Sequence, residues 1–197
     1  MSVDWDYPEP REGLAGQWDT FIGPGATRAE SALMLGFGLA AGILLLVYQY
    51  IAGLGWDILQ QIVAALLTFD LVGGVVSNST SATKRWYHRE GQGFKEHMGF
   101  IAFHFIHPLL IVIFFMSFDW VYFILVYGFL IVSAVVVLLS PLYIRRPVSI
   151  VMFLGALVVN IYLLIPAPGF EWFVPVLFLK LIVGHAVKEE PYRSRET

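Results

Sequence analysis

Apolar stretches long enough to cross a membrane recur along this chain, and they constrain its fold more than any other feature. Of its 197 residues, 58% are hydrophobic and only 14% are charged. A membrane-spanning helix needs about 20 predominantly apolar residues, and a helix satisfies its own backbone hydrogen bonds without water. The sequence therefore predicts an all-α fold, a polytopic membrane helical bundle with about six transmembrane helices. The expected spans are residues 30–53, 57–79, 96–118, 120–140, 148–166 and 172–187.

The basic residues predict how these spans are oriented. An even number of spans puts both termini on one side, and every Lys and Arg except Lys180 lies in a segment expected on that side. Cytoplasmic segments are enriched in Lys and Arg, so we expect both termini in the cytoplasm and a multi-pass protein of the cell's inner (plasma) membrane. The expected regions are a mostly irregular cytoplasmic tail, 1–28, a transmembrane domain, 29–188, and a second cytoplasmic tail, 189–197.

Composition also excludes several classes of function. The chain has no cysteine, which excludes disulfides, thiolate metal sites, iron–sulfur clusters and a cysteine nucleophile. Its net charge is −3 and it has no basic run, so nucleic acid is not an expected partner. The expected partners are membrane lipids and a hydrophobic small molecule or an ion, within a homo-oligomer or a larger membrane complex. No motif is specific enough to name a family.

Polar residues inside the apolar stretches mark a candidate site. His97 and His104 lie nearly in register on a helix and His107 is about 60° away, so all three share one face. An ionised Asp70 inside the second span is costly without a partner, so we expect it to be paired, protonated or metal-bound. At about 1.5 Å per residue, Asp70, the two later histidines and Lys180 lie about 10–15 Å from the cytoplasmic boundary. The sequence therefore predicts a polar pocket in the cytoplasmic half of the bilayer.

The spacing of the histidines indicates a metal site. His104 and His107 are three residues apart, which lets two imidazoles of one helix bind one ion. We predict that His104, His107 and Asp70 are metal ligands, and the expected ion is zinc or iron. Pro108 removes the amide that would bond to the His104 carbonyl, so a bend is expected there. Haem is not expected, because His185 lies too near the surface to face His107.

Other polar residues receive supporting roles. The candidate catalytic residues are His97 and His185, which would carry protons, together with Asp70. His185 and Glu189 form an alternative ligand pair, four residues apart. The candidate cofactor-binding residues are Asn78, Lys180 and Asn160. Structural alternatives stay open for several of these residues: a buried Asp70–Lys180 ion pair, histidines that hydrogen-bond across helices, and an interhelical hydrogen bond from Asn160. His88, in the polar loop, is expected to be solvated.

Four functions are compatible with these features. We favour a metal-dependent, membrane-embedded enzyme, a hydrolase or an oxidoreductase that acts on a lipid or another hydrophobic substrate, because a metal ion makes bound water nucleophilic at neutral pH. The main alternative is a proton- or metal-ion-coupled transporter or channel that uses the same residues, although the outer half of the spans offers no evident polar path. A haem- or quinone-binding redox subunit and an accessory membrane subunit are the other two.

Overall fold

The computed structural model describes residues 2–193, and this part of the chain is helical apart from one pair of two-residue strands. In chain order the helices are α1 Gly13–Ile22, α2 Arg28–Ile51, α3 Ile58–Asn78, α4 Ser81–Tyr87, α5 Phe94–Phe103, α6 Ile106–Phe115, α7 Trp120–Leu139, α8 Leu142–Tyr162 and α9 Phe173–Phe178, and α9 continues as a π-helix over Leu179–His185. Strands β1 Ser2–Val3 and β2 Tyr192–Arg193 pair antiparallel. The predicted all-α class is confirmed.

Five helical segments are long and apolar enough to cross a membrane: α2, α3, α5 with α6, α7 and α8. The sixth predicted span is shorter than expected. The apolar helix Phe173–His185 is about 20 Å long, whereas the hydrocarbon core of a bilayer is about 30 Å thick. The loop before this helix turns inward and stacks Phe170 on Trp56 with ring centroids 5.3 Å apart. Where six spans were predicted, five helices of the described residues are of membrane-spanning length, and the sixth predicted span corresponds to a shorter apolar helix.

Helices α2 and α3 pack closely because glycines of α2 face the contact. A Cβ atom on Gly38 would lie 2.9 Å from a ring carbon of Phe69, and one on Gly42 would lie 3.4 Å from the carbonyl oxygen of Ala65. Small residues at such contacts let two helix backbones approach each other. The close packing at these glycines therefore fixes the position of α3 against α2.

The third span is broken at residues 104 and 105, between α5 and α6. Pro108 has no backbone N–H, so the carbonyl of His104 lacks its helical donor. The backbone N–H of His104 donates to Ile101, at 3.0 Å, in a tighter turn than an α-helix makes. The carbonyl of Phe100 is therefore released from the helical ladder. The predicted bend is confirmed.

The N-terminal tail is more ordered than predicted. Its helix α1 packs against α4, where the hydroxyl of Thr83 donates to the carbonyl of Ile22 at 2.9 Å. Gly23 lies so close to this helix that a Cβ there would be 2.4 Å from the carbonyl carbon of Ala82. The sequence did not predict this helix of the tail, because the polar loop itself folds into α4 and offers a surface for it.

Helix α8 begins earlier than its predicted span. It starts at Leu142 and contains Arg145, Arg146 and Pro147, which the sequence placed in a turn before residue 148. A helix can extend beyond the apolar part of its sequence, so these polar residues did not mark its end. The two guanidinium groups are carried on the first turns of α8 instead of on a loop.

Candidate metal centre

The structure brings Asp70, His104 and His107 together, and we call these three residues the metal triad. One ligand atom from each lies within 4.8 Å of the other two. The Nε2 atom of His107 is 2.7 Å from Oδ2 of Asp70, and the two imidazole rings are nearly parallel, with centroids 4.9 Å apart. Both histidines are buried. The metal triad is therefore close enough to hold one metal ion, as the sequence predicted.

His104 is oriented as metal-binding histidines usually are. Its Nδ1 atom lies 2.8 Å from the carbonyl oxygen of Phe100, the oxygen released by the break before Pro108. A carbonyl only accepts hydrogen bonds, so Nδ1 carries the proton and Nε2 keeps a lone pair. A backbone carbonyl that fixes one ring nitrogen in this way orients the other nitrogen towards a metal ion.

His107 has an oxygen acceptor at each ring nitrogen. Its Nδ1 atom is 3.3 Å from the carbonyl oxygen of His104, and its Nε2 atom is 2.7 Å from the Asp70 carboxylate. A neutral imidazole has only one N–H group, which cannot serve both acceptors. The shorter contact, at 2.7 Å, is a hydrogen bond from Nε2–H of His107 to Asp70, and a metal ion bound to Nε2 would take the place of that proton.

Lys180 supplies the positive charge next to Asp70. Its Nζ atom donates to Oδ2 of Asp70 at 2.5 Å and to the backbone carbonyl of Asp70 at 3.2 Å. The lysine side chain is 4% exposed, whereas that of Asp70 is 32% exposed. The structural alternative of a buried Asp70–Lys180 ion pair is confirmed. It is compatible with the metal triad, because a carboxylate has a second oxygen.

Two residues of α3 shape the position of Lys180. Gly74 leaves the space that the lysine occupies, because a Cβ there would lie 2.4 Å from Cε of Lys180. Asn78 donates from its side-chain amide to the carbonyl of Lys180 at 3.0 Å. That carbonyl belongs to the π-helix, a geometry often found at functional sites. The structure thus places both α3 residues beside the lysine.

A cavity of about 290 Å³ lies over the metal triad. Besides the triad it is lined by polar residues of α3, by Lys180 and by aromatic side chains from the tail, α4 and α5. The full lining is Phe21, Asp70, Gly74, Ser77, Asn78, Tyr87, Phe100, Phe103, His104, His107 and Lys180. Phe103 is 67% exposed on a helix apolar enough to span a membrane. The cavity thus combines a polar floor with an aromatic rim beside the outer surface of the bundle.

The other three histidines form a second group. The Nδ1 atom of His97 is 3.0 Å from Nε2 of His185, and the rings of His88 and His97 are 4.6 Å apart. Phe100 separates this group from the metal triad: its ring stacks on His185 at 4.0 Å and lies 4.8 Å from the ring of His104. The hydrogen-bonded path from His97 therefore stops at His185, and the catalytic roles of these two residues stay predictions.

His88 is not solvated, contrary to expectation. It is 6% exposed, and its ring packs against those of His97 and His185, with centroids 4.6 and 6.3 Å away. Burial, followed by the charges of His97 and Lys84, lowers the pKa of His88 to about 3. The imidazole is therefore neutral at physiological pH. These contacts come from α5 and the π-helix, and the local sequence of the loop does not reveal them.

The His185–Glu189 pair and Asn160, which the sequence also proposed for the site, do not take part in the metal triad. The carboxylate of Glu189 binds Arg146 at 2.6 Å and Lys84 at 3.4 Å, and not His185, so the alternative ligand pair is not assembled. Asn160 donates to the carbonyl of Glu171 at 3.1 Å, which joins α8 to the loop after it. Asn160 is not one of the described residues that line the cavity over the metal triad.

Lys84 is a buried cation that the sequence did not single out. Its Nζ atom donates to the carbonyls of Gly184 and Val187, at 2.5 and 2.7 Å, where the π-helix ends. Burial lowers the pKa of Lys84, and the carboxylate of Glu189 opposes this shift. A cation at a helix C-terminus stabilises the unpaired carbonyls there. Nothing in the sequence around Lys84 distinguishes it from a solvated loop lysine.

Comparison of the chain with protein-family models, with curated proteins and with solved structures found no match. The chemistry of the site therefore has to be argued from its own residues.

Proposed function

We propose that this chain is an integral membrane protein and a metal-dependent enzyme that acts on a lipid or another hydrophobic substrate. The metal triad would hold one transition-metal ion, zinc or iron, over the floor of the 290 Å³ cavity. A metal ion of this kind polarises a substrate oxygen or activates a bound water molecule. Such an ion would support either hydrolysis or oxidation of the substrate.

The observation that carries this proposal is the convergence of two imidazoles and one carboxylate, whose possible ligand atoms lie within 4.8 Å of one another. The Nδ1–H of His104 is held by the Phe100 carbonyl, which leaves its Nε2 with a lone pair, and Nε2 of His107 lies 2.7 Å from a carboxylate oxygen. Histidine nitrogens and a carboxylate suit zinc and iron. Hydrogen bonds already offset part of the cost of burying the two imidazoles, and a metal ion would add to this compensation.

A hydrophobic substrate is supported by the walls of the cavity. Phe21, Phe100 and Phe103 line it, and the exposed side of Phe103 belongs to a helix apolar enough to face hydrocarbon. A substrate would enter sideways from the membrane and meet the polar floor with its reactive group. Lys180, which is already paired with Asp70, would help to hold a negative charge that develops on the substrate.

An enzyme is favoured over a channel by the packing beyond the triad. About one and two turns further along α3 and α6 lie Leu67, Ala64 and Ile111, which are buried at 0–5% exposure. Apolar packing at this level supports a pocket that is closed towards the far end of the bundle. Transport through the same residues would need a polar path that the described residues do not provide.

The metal content of the full chain, purified in a neutral detergent and measured by elemental analysis, tests the proposal. We expect about one zinc or iron ion per chain after equilibrium dialysis, and its loss in His104→Ala. The matched control is His88→Ala, which removes another buried histidine outside the triad and should keep the ion. Metal-free wild-type protein, or equal retention of metal in His104→Ala, would refute the metal site.

The membrane topology is part of the same proposal. We propose that both ends of the chain face the cytoplasm, and the pairing of Ser2–Val3 with Tyr192–Arg193 supports a common side. The chain lacks cysteine, so single cysteines can be introduced at Ser79 and at Gly53. An impermeant thiol reagent added to intact cells should label the Gly53→Cys variant and not the Ser79→Cys variant. The opposite pattern would reverse the orientation.

A further inference from the structure

A second, larger cavity lies where the two ends of the chain meet, and we call it the terminal cavity. Its volume is about 790 Å³, and its walls come from the N-terminal tail, the loop after α4, the junction of α7 and α8, and the segment after the π-helix. Trp5 and Tyr7 form one wall, and Leu138 and Leu142 form another. Neither the metal triad nor the proposed reaction uses this space.

Three cations line the terminal cavity: Arg89, Arg145 and Lys188. None of the ion pairs between described residues involves any of them. Among the described residues, Glu90 is the only acidic one in the lining. Cations gathered around a space with few carboxylates repel one another, so an anion bound there would stabilise the arrangement.

Each of the three cations has donors left over. Arg89 stacks on the ring of Trp86 at 3.7 Å and donates one N–H to the carbonyl of the same residue. Arg145 donates Nε and Nη2 to carbonyls at the end of α7, at 2.9–3.3 Å. Lys188 lies 4.5 Å above the ring of Trp5. These contacts fix the positions of the cations and leave Nη1 of Arg145 and the ammonium N–H groups available.

We propose that the terminal cavity binds a phosphate group. A phosphate has several oxygens that accept hydrogen bonds from different directions, and guanidinium groups match its geometry. A single carboxylate would meet fewer of the donors that come from three separate segments. The apolar wall at Leu142, which is 64% exposed at the start of a membrane-length helix, gives a lipid headgroup a route into the cavity. A soluble phosphate would enter from the open side.

Calorimetric titration of the full chain in neutral detergent tests the proposal with two probes, inorganic phosphate and short-chain phosphatidic acid. Short-chain phosphatidylcholine serves as the zwitterionic control. We expect saturable binding of at least one phosphate probe. In the double variant Arg89→Gln, Lys188→Gln the dissociation constant should rise about tenfold or more, as expected for the loss of charge-assisted hydrogen bonds.

A matched control removes the same charge elsewhere. Lys95 and Arg28 are exposed and do not line the terminal cavity, so the variant Lys95→Gln, Arg28→Gln should bind like the wild type. The charge-keeping variant Arg89→Lys, Lys188→Arg should stay within about threefold of the wild type, which separates lost charge from lost folding. Metal analysis of the same samples should show unchanged metal binding by the metal triad.

The outcomes distinguish the two sources of phosphate. Binding of phosphatidic acid without inorganic phosphate supports a lipid headgroup, and competition by inorganic phosphate supports a free phosphate group. The proposal is overturned if neither probe binds, if phosphatidylcholine binds equally well, or if the surface control loses as much affinity as the cavity variant.

Discussion

Replacement of Asp70 by asparagine would test whether the buried ion pair stabilises the bundle. The substitution keeps the shape of the side chain and removes its charge. Lys180 would lose the negative charge of its partner at 2.5 Å and keep neutral acceptors, the amide oxygen and the backbone carbonyl of residue 70, the latter at 3.2 Å. The lysine side chain is 4% exposed, so solvent screens the uncompensated ammonium poorly.

The expected cost follows from this uncompensated charge. Breaking a buried ion pair from one side typically destabilises a protein by about 3–5 kcal/mol. Because the Asp70 side chain is 32% exposed and borders a cavity, we expect the lower end, about 3 kcal/mol. Removing the second charge as well, with Lys180→Met in the Asp70→Asn background, should recover about 2 kcal/mol of the loss.

Unfolding of metal-free protein in mixed micelles, followed by helical circular dichroism, measures these free energies. The matched control is Asp57→Asn, at the N-terminus of α3. Asp57 caps that helix by accepting from the N–H of Gln60, and asparagine caps equally well, so a change below about 0.5 kcal/mol is expected. A loss below about 1 kcal/mol in Asp70→Asn, or a double variant less stable than the single one, would contradict this account.

Three further predictions concern the surroundings of the site. Gly74→Ala should displace the Lys180 ammonium, because the new Cβ would lie 2.4 Å from Cε. We expect the free energy of unfolding to fall by about 1–3 kcal/mol in the same assay. The control Gly128→Ala, with open space around it, should not destabilise the protein. Pro108→Ala should restore an amide that bonds to the His104 carbonyl, so the Phe100 carbonyl would return to the helical ladder and no longer orient His104. Equilibrium dialysis should then show metal affinity weakened about tenfold. Unchanged affinity would contradict the role of the bend. Burial lowers the pKa of His88 to about 3 from 6.5, so the unfolded chain takes up this proton first and stability falls as the pH drops below 6.5. Between pH 7 and pH 5 the loss from this one group should be about 2 kcal/mol, and it should be absent from His88→Gln when unfolding is measured at both pH values; equal losses in both proteins would show that His88 does not titrate in this way.

The long helices and the metal triad were predictable because each depends on strong local patterns. Continuous apolar runs mark helices such as α7, whatever they pack against. The depth of Asp70 in one span and the spacing of His104 and His107 in the next were enough to bring these residues to a common level. The bend followed from the chemistry of Pro108 alone.

What the sequence did not predict depends on contacts between distant segments. His88 is buried where its ring packs against those of His97 and His185, and nothing within the loop indicates these contacts. Lys84 resembles a solvated lysine in the sequence, and only the fold brings the carbonyls at the end of the π-helix to its ammonium group. The loop before the helix Phe173–His185 turns inward and packs Phe170 on Trp56, a contact between segments far apart in the sequence. Such features are set by packing, which a linear pattern of polarity does not contain.

The pairing of Ser2–Val3 with Tyr192–Arg193 has a consequence for how the protein is made. The segment around residue 2 leaves the ribosome before the helices that follow it, and its partner strand leaves only after all the helices between the two strands have been synthesised. Trp5 and Lys188, which face each other at 4.5 Å, can therefore meet only after that point. Closure of this junction is a late event of folding, and it requires the two strands to reach the same end of the helical bundle.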